Sequence, residues 1–230
     1  MLAKTDDDLI AEQFRDFVRD ADFPCVGAKS ALARDQMTIL VCRDITSGWD
    51  DMRIWPALYE LAQSYQREPK LFQTLVTIFD GPTMLSEAQF EKALWNRVQS
   101  LSDKDEWLGQ PTDTRVSSDP DDPHFSLSFG GEAFFVVGLH PQASRPARRF
   151  GRPALVFNLH DQFEQLRAAG RYEKLRDSIL ARDEKLAGSI NPMLARHGDS
   201  SEARQYSGRA VEAGWQCPYS GRGAQQPHDL

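Results

Sequence analysis

The stretch "HFSLSFGGEAFFVVGLH" (124–140) decides the fold. Two apolar runs are separated by Gly130 and Gly131. A pair of glycines between apolar runs is typical of a tight β-hairpin, because both turn positions favour positive φ. The sequence therefore predicts two antiparallel strands here, with His140 at the end of the second strand.

Other strands and helices are predicted on both sides of this hairpin. Short apolar runs predict strands, and helical periodicity predicts helices, of which the last is broken at Gly170. The strands are expected at 37–42, 71–80 and 153–158, and the helices at 6–21, 49–65, 86–101 and 160–187. Strict βαβ alternation does not run throughout. We therefore expect a single α+β domain with a mixed or mostly antiparallel sheet covered by helices.

Length and composition fit one soluble domain. The chain has 230 residues, of which 27% are charged and 40% hydrophobic. One domain is expected over residues 1–219, and the polar, glycine-rich residues 220–230 are expected to form a flexible tail. No run approaches the roughly 20 apolar residues of a membrane helix, and the amino terminus does not resemble a signal peptide. A cytoplasmic protein without a membrane partner is expected.

Charge is unevenly distributed along the chain. Residues 141–210 carry 13 basic and 8 acidic side chains, whereas the whole chain has a formal net charge of −7. An acidic protein attracts a nucleic acid poorly at long range, so a nucleic-acid partner is not expected. A small bound anion suits the basic segment better.

Several common site signatures are missing from the sequence. Its three cysteines form no CxxC pair, which argues against a disulfide framework and against a cysteine metal site. There is also no GxGxxG, GxxxxGK[ST], HExxH or GxSxG sequence, so the usual nucleotide, zinc-protease and serine-hydrolase motifs are absent.

A histidine and three arginines follow the hairpin closely. His140 ends the strand and can ligate iron or zinc or transfer a proton, or it can simply be hydrogen-bonded there. Arg145, Arg148 and Arg149 share one side if residues 144–150 form a helical turn, and they can then hold one anion. The alternative is a solvated basic loop.

Two further residues are candidates for a metal ligand. His160 follows the strand at 153–158, and it shares a cavity with His140 only if the two strands run in the same direction or a compact crossover joins them. His160 can equally belong to the start of the next helix. Cys217 precedes Pro218, as in the thiolate loop of some heme proteins. His197, before a glycine, is interpreted as a histidine at a helix end.

Several blocks in this order resemble the bacterial YqcI/YcgG-type family: "FPCVGAKSAL", "FFVVGLHPQASRPARRF", "ALVFNLHDQFEQLR", "GSINPML", "SEARQYSGR" and "WQCPY". The resemblance spans roughly residues 22–219. Relatives of this kind in natural-product pathways are heme-dependent oxygenases that hydroxylate nitrogen on guanidino compounds.

The resemblance implies a cofactor, a reaction and roles for residues. The cofactor is heme b, with His140 as first candidate for the iron ligand, His160 as second and Cys217 as third. Its propionates are expected on some of the three arginines described above. The expected reaction is monooxygenation of an amine or guanidine nitrogen in a small amino-acid-like substrate, with Glu132 or Asp161 as its acidic partner. The resemblance identifies no reductant or redox partner. The alternative is a non-catalytic protein that binds heme or a small anion.

Overall fold

The computed structural model describes residues 5–193 and 200–222. Within these residues the helices are α1 (Asp6–Arg19), α2 (Val26–Ala33), α3 (Asp51–Arg67), α4 (Glu87–Trp107), α5 (Asp161–Ala168), α6 (Tyr172–Ala187) and α7 (Ala203–Tyr206). The strands are β1 (Met37–Asp44), β2 (Thr74–Gly81), β3 (Leu127–Phe129), β4 (Glu132–Leu139) and β5 (Ala154–Leu159). Short 3₁₀ turns occur at Gly48–Asp50 and Pro146–Arg148.

Local side chains fix where two long helices begin. Thr5 and Asp8 form a capping box at α1, in which each side chain accepts a hydrogen bond from the other residue's backbone N–H. Ser86 and Gln89 form the same arrangement at α4. These bonds satisfy amide groups that have no partner within the helix, and each cap contributes about 1 kcal/mol.

The five strands form one mixed sheet in the order β1-β2-β5-β4-β3. β1 and β2 are parallel, and the other three neighbouring pairs are antiparallel. The predicted α+β class with a mixed sheet is therefore confirmed. Because β5 runs against β4, the sheet has two chemically different ends. We call them the His140 end, where β1, β2 and β4 finish, and the His160 end, where β5 finishes.

Both faces of the sheet are covered. The larger core lies between one face and the helices α3 and α4, and it contains Ile54, Leu58 and Leu94. The smaller core lies against α1, which contributes Phe14 and Val18. A strand that is covered on both faces is buried at consecutive positions, which explains why β2 is buried without interruption from Thr74 to Phe79.

Glycines matter at two places in the sheet. Gly130 and Gly131 have φ values of +59° and +85° and form the predicted two-residue hairpin turn between β3 and β4. Gly138 matters for space, because an added Cβ would lie 2.8 Å from carbon atoms of both Leu94 and Phe90. The bare backbone of β4 therefore lets α4 pack directly on the sheet.

The sequence also predicts a helix break, a carboxyl-terminal tail and the absence of a membrane helix. Gly170 separates α5 from α6 as predicted, and α3 continues through Pro56. Of the predicted tail, Arg222 donates hydrogen bonds to the protein, and residues 223–230 lie outside the described residues. His197 also lies outside them. No helix in the described part of the chain is long and apolar enough to cross a membrane.

Candidate functional site

His140 lies directly after β4 and is only 1% exposed. Its ring stacks on Phe90 of α4, with ring centroids 4.3 Å apart. Its backbone N–H donates to the carbonyl of Arg148. Among the described residues the buried Nδ1 atom has no hydrogen-bond partner. Burial lowers the pKa of this imidazole, so it is neutral at neutral pH.

Two of the three predicted anion-binding arginines bind nearby protein groups. Arg145 forms an ion pair with Asp183 of α6 and donates to the carbonyl of Ser189 at 3.0 Å. Arg149 donates to the carbonyls of residues 143–144 at 3.0 and 3.1 Å. Their guanidinium groups therefore stabilise the local chain.

Arg148 binds three backbone carbonyls. It donates to Gly138 at 3.0 Å, to Gln205 at 3.2 Å and to Tyr206 at 3.3 Å. Burial lowers its pKa to about 10, so it stays charged at neutral pH. The turn at Pro146–Arg148 is a single 3₁₀ turn, and the guanidinium groups of the three arginines bind separate protein groups rather than one shared site. Their binding of propionates stays a prediction.

The His160 end holds a different cluster, which we call the carboxylate pocket. It is a cavity of about 240 Å³ lined by Asp113, Arg115, Val116, His124, His160, Asp161 and Glu164. The guanidinium of Arg115 donates to Asp113 at 2.7 Å, to Glu132 at 2.8 Å and to Asp161 at 3.0 Å. Three carboxylates thus hold one cation.

Strand direction brings these carboxylates together. Glu132 begins β4 and Asp161 begins α5 immediately after β5, so the antiparallel pairing of β4 with β5 places them side by side. Asp113 comes from the loop between α4 and β3 and accepts a hydrogen bond from the backbone N–H of Ala133 at 3.0 Å. The two acids predicted as substrate partners therefore lie in one place.

Asp113 and Arg115 stabilise each other's ionised form. Burial raises the pKa of Asp113, but hydrogen bonds from Arg115 outweigh burial and hold the pKa below its ordinary value. The hydrogen bond with Asp113 in turn raises the pKa of Arg115, with Glu132 adding to the effect. The Arg115 side chain is nevertheless 52% exposed. The cation therefore sits at the mouth of the pocket and not in its interior.

A tyrosine and a glutamine hold the Asp161 carboxylate from the other side. The Tyr65 hydroxyl of α3 donates to Asp161 at 2.8 Å, and the Gln165 amide donates to the same oxygen at 2.8 Å. Burial, followed by this hydrogen bond, raises the pKa of Tyr65. The phenol therefore stays protonated and fixes the orientation of Asp161.

His160 is buried at the wall of the carboxylate pocket. Its Nε2 lies 3.5 Å from a carboxylate oxygen of Glu164, and its Nδ1 lies 4.0 Å from one of Glu202. Of the two histidines proposed as ligands, His160 is the one beside Glu132 and Asp161.

Cys217 lies at the larger core and is not among the lining residues of the carboxylate pocket. It packs against the larger core, in which Trp95 and Tyr219 are buried. Burial raises the pKa of its thiol to about 12. Because only the thiolate ligates a metal well, the local environment disfavours Cys217 as a ligand.

Comparison with known proteins identifies one matching family. The model of the YqcI/YcgG family matches residues 14–220. The chain belongs to the YqcI/YcgG family. No curated protein and no solved structure matches it. The family match covers every described β-strand and every residue of the carboxylate pocket, so the pocket lies inside the family domain.

Heme does not fit either histidine as the described residues are arranged. The cavity beside His160 is smaller than the roughly 300–1,000 Å³ of cavities that hold cofactors, and its carboxylates would repel propionates. His140 is only 1% exposed, so the surrounding side chains would have to move before its ring could reach an iron. In the described part of the chain no group of three or more His, Cys, Asp or Glu side chains is arranged to hold a metal ion. We therefore derive no reaction step from heme.

Sequence reasoning missed the residue at the centre of the pocket. Arg115 lies in a polar loop and has no motif around it, and its partners Glu132 and Asp161 are 17 and 46 residues away. The only local signal is the Asp113-Thr114-Arg115 sequence, in which the first and third residues form an ion pair.

Proposed function

We propose that this chain binds a small cationic amine or guanidine compound in the carboxylate pocket and acts on a nitrogen atom of that compound. One observation carries the proposal: Asp113, Glu132 and Asp161 converge on a single guanidinium group. Carboxylates bind guanidinium through paired, charge-assisted hydrogen bonds, so a pocket that holds the Arg115 side chain has the chemistry to hold a ligand of the same kind.

Arg115 marks the position of the ligand cation. Its side chain is half-exposed and reaches the pocket from a loop, so it can withdraw without disturbing a strand. In our proposal the ligand takes the place of the Arg115 guanidinium on the carboxylates. Tyr65 and Gln165 keep Asp161 in position during the exchange.

Binding measurements test this proposal directly. Isothermal titration of agmatine and L-arginine, with the neutral isostere L-citrulline as comparison, should give binding for the two cations only. Arg115→Ala removes the competing guanidinium and should tighten agmatine binding by about tenfold or more, because one charge-assisted hydrogen bond contributes roughly 1.5–3 kcal/mol. Glu132→Gln should weaken binding, whereas Glu60→Gln, an exposed change on α3, should not.

Two outcomes would contradict the proposal. One is equal binding of agmatine and L-citrulline. The other is a lack of agmatine binding by both the wild-type chain and a folded Arg115→Ala variant. Circular dichroism establishes that the variants are folded.

The reaction in our proposal is hydroxylation of the bound nitrogen, and its support is the family resemblance. That resemblance also implies heme b, which would supply oxygen activation, and binding it would require the residues around one of the two histidines to rearrange. The chain's own residues would bind and orient the cation, with Glu132 and Asp161 as its acidic partners. The assay combines hemin-treated protein, agmatine or L-arginine, and either a reductant with dioxygen or peroxide, and measures a mass gain of one oxygen atom. Binding without this mass gain would favour the non-catalytic alternative.

A further inference from the structure

A second cavity lies at the other end of the sheet from the carboxylate pocket. Its volume is about 680 Å³, which is within the range of ligand-binding cavities. Its walls include Val41–Arg43, at the end of β1, and Asp80, near the end of β2. These two strands are parallel, and open sheets bind ligands in the crevice outside the carboxyl ends of parallel strands.

Two arginines form fixed walls of this cavity. Arg53 of α3 donates to the carbonyl of Val41 at 3.0 Å. Arg152, just before β5, donates to Asp80 at 3.2 Å and to Gln13 of α1 at 2.8 Å. These bonds join α1, α3 and the sheet around the cavity. The wall is therefore held in place by the fold.

Three other charged side chains of the lining form no polar side-chain contact within the described ranges. Arg43 of β1 and Asp6 and Asp7 of α1 are exposed, and their side chains form no hydrogen bond or ion pair with another residue in the ranges 5–193 and 200–222. The cavity thus presents one available guanidinium and two available carboxylates. Leu9 and Ile10 supply an apolar surface to the same cavity.

We infer that this cavity binds a small zwitterion with an apolar body, of the class of apolar α-amino acids. The ligand's carboxylate binds Arg43, its ammonium group binds Asp6 and Asp7, and its apolar body packs against Leu9 and Ile10. A simple anion suits the site less well because the two aspartates offset the attraction of the α1 amino terminus for negative charge. A simple cation suits it less well because Arg43 repels it.

A matched set of three probes tests the inference by NMR titration of the folded chain. L-Leucine carries both charges, isovalerate carries only the carboxylate, and isopentylamine carries only the ammonium group on a similar body. L-Leucine should give saturable shifts of the Cys42 and Asp80 backbone amides. Each half-charged probe should bind about tenfold or more weakly, because it loses charge-assisted hydrogen bonds.

Single variants locate the binding to this cavity. Arg43→Gln should weaken L-leucine binding by about tenfold, and Asp7→Asn should weaken it while leaving the Thr5–Asp8 capping box intact. Arg67→Gln, an exposed change at the end of α3, is the matched control and should leave binding unchanged. Three results would overturn the inference: no shift with L-leucine, equal shifts with all three probes, or equal binding by the Arg43 and Arg67 variants.

Discussion

His140 and His160 lie at opposite ends of the same pair of strands. His140 follows β4 and His160 follows β5, and the register pairs Leu139 with Ala154 and Phe134 with Leu159. At about 3.4 Å per residue, roughly 20 Å of strand separates the two histidines. The pairing therefore excludes the arrangement in which both imidazoles face one cavity.

This separation predicts how hemin binding responds to mutation. In a histidine-ligated hemin complex, which would require the residues around one of the two rings to rearrange, we expect the Soret band to be lost in one of the two variants His140→Ala and His160→Ala and kept in the other, because one iron cannot reach both rings. Absorption spectra after hemin titration measure this. A Soret band that persists unchanged in the double variant would rule out a histidine ligand altogether.

Packing at Gly138 predicts a large effect of a small substitution. Gly138→Ala places a Cβ 2.8 Å from Leu94 and Phe90, so α4 or β4 has to move, and overpacking of this kind costs about 1–3 kcal/mol. Thermal unfolding should show a lower Tm. Gly151→Ala is the control, because a Cβ at Gly151 contacts nothing within 4 Å. Equal Tm values for the two variants would contradict the packing described here.

The buried Asp105 carboxylate predicts a further loss of stability. It accepts hydrogen bonds from the Trp55 indole at 2.8 Å and from the Gly130 backbone at 3.1 Å, and it forms an ion pair with Arg222. Asp105→Ala leaves the arginine buried without its anion, which costs about 3–5 kcal/mol. Asp103→Asn, an exposed change on the same helix, should change the free energy of unfolding by less than about 0.5 kcal/mol. Urea denaturation distinguishes the two.

Burial of His140 predicts a pH dependence of stability. Its pKa is lowered in the folded chain, so the unfolded chain binds more protons, and stability falls as the pH drops below the unfolded value of about 6.5. His140→Gln should therefore flatten the dependence of unfolding free energy on pH between about pH 5 and 7. An unchanged slope in this variant would show that other groups cause any acid sensitivity in that range.

The contacts of Arg148 predict that it stabilises the chain without any ligand. Arg148→Gln leaves the carbonyls of Gly138, Gln205 and Tyr206 without their donor, and unsatisfied buried groups cost about 1–3 kcal/mol each. Arg149→Gln, which removes bonds from a more exposed side chain, should cost less. Thermal unfolding of hemin-free protein makes the comparison, and an unchanged Tm for Arg148→Gln would argue against this role.

Features set by neighbouring residues were predictable from the sequence. The Gly130-Gly131 turn, the Ser86 helix cap and the break at Gly170 all follow from residues within a few positions of each other. Each depends on backbone conformation or on a single hydrogen bond, so composition and spacing suffice to locate it. The α+β class follows from such elements in combination.

Tertiary structure alone decided which charged groups meet. Arg145, Arg148 and Arg149 would share one side only on a helical turn, and their partners instead come from the distant helix α6, from α7 and from nearby carbonyls. Conversely, Arg115 meets Glu132 and Asp161 because the antiparallel pairing of β4 and β5 places these two carboxylates side by side, within reach of the loop between α4 and β3. The sequence indicates strands and helices through short-range periodicity. It does not indicate strand direction, because that depends on long-range packing, and strand direction determines which end of the sheet each side chain occupies.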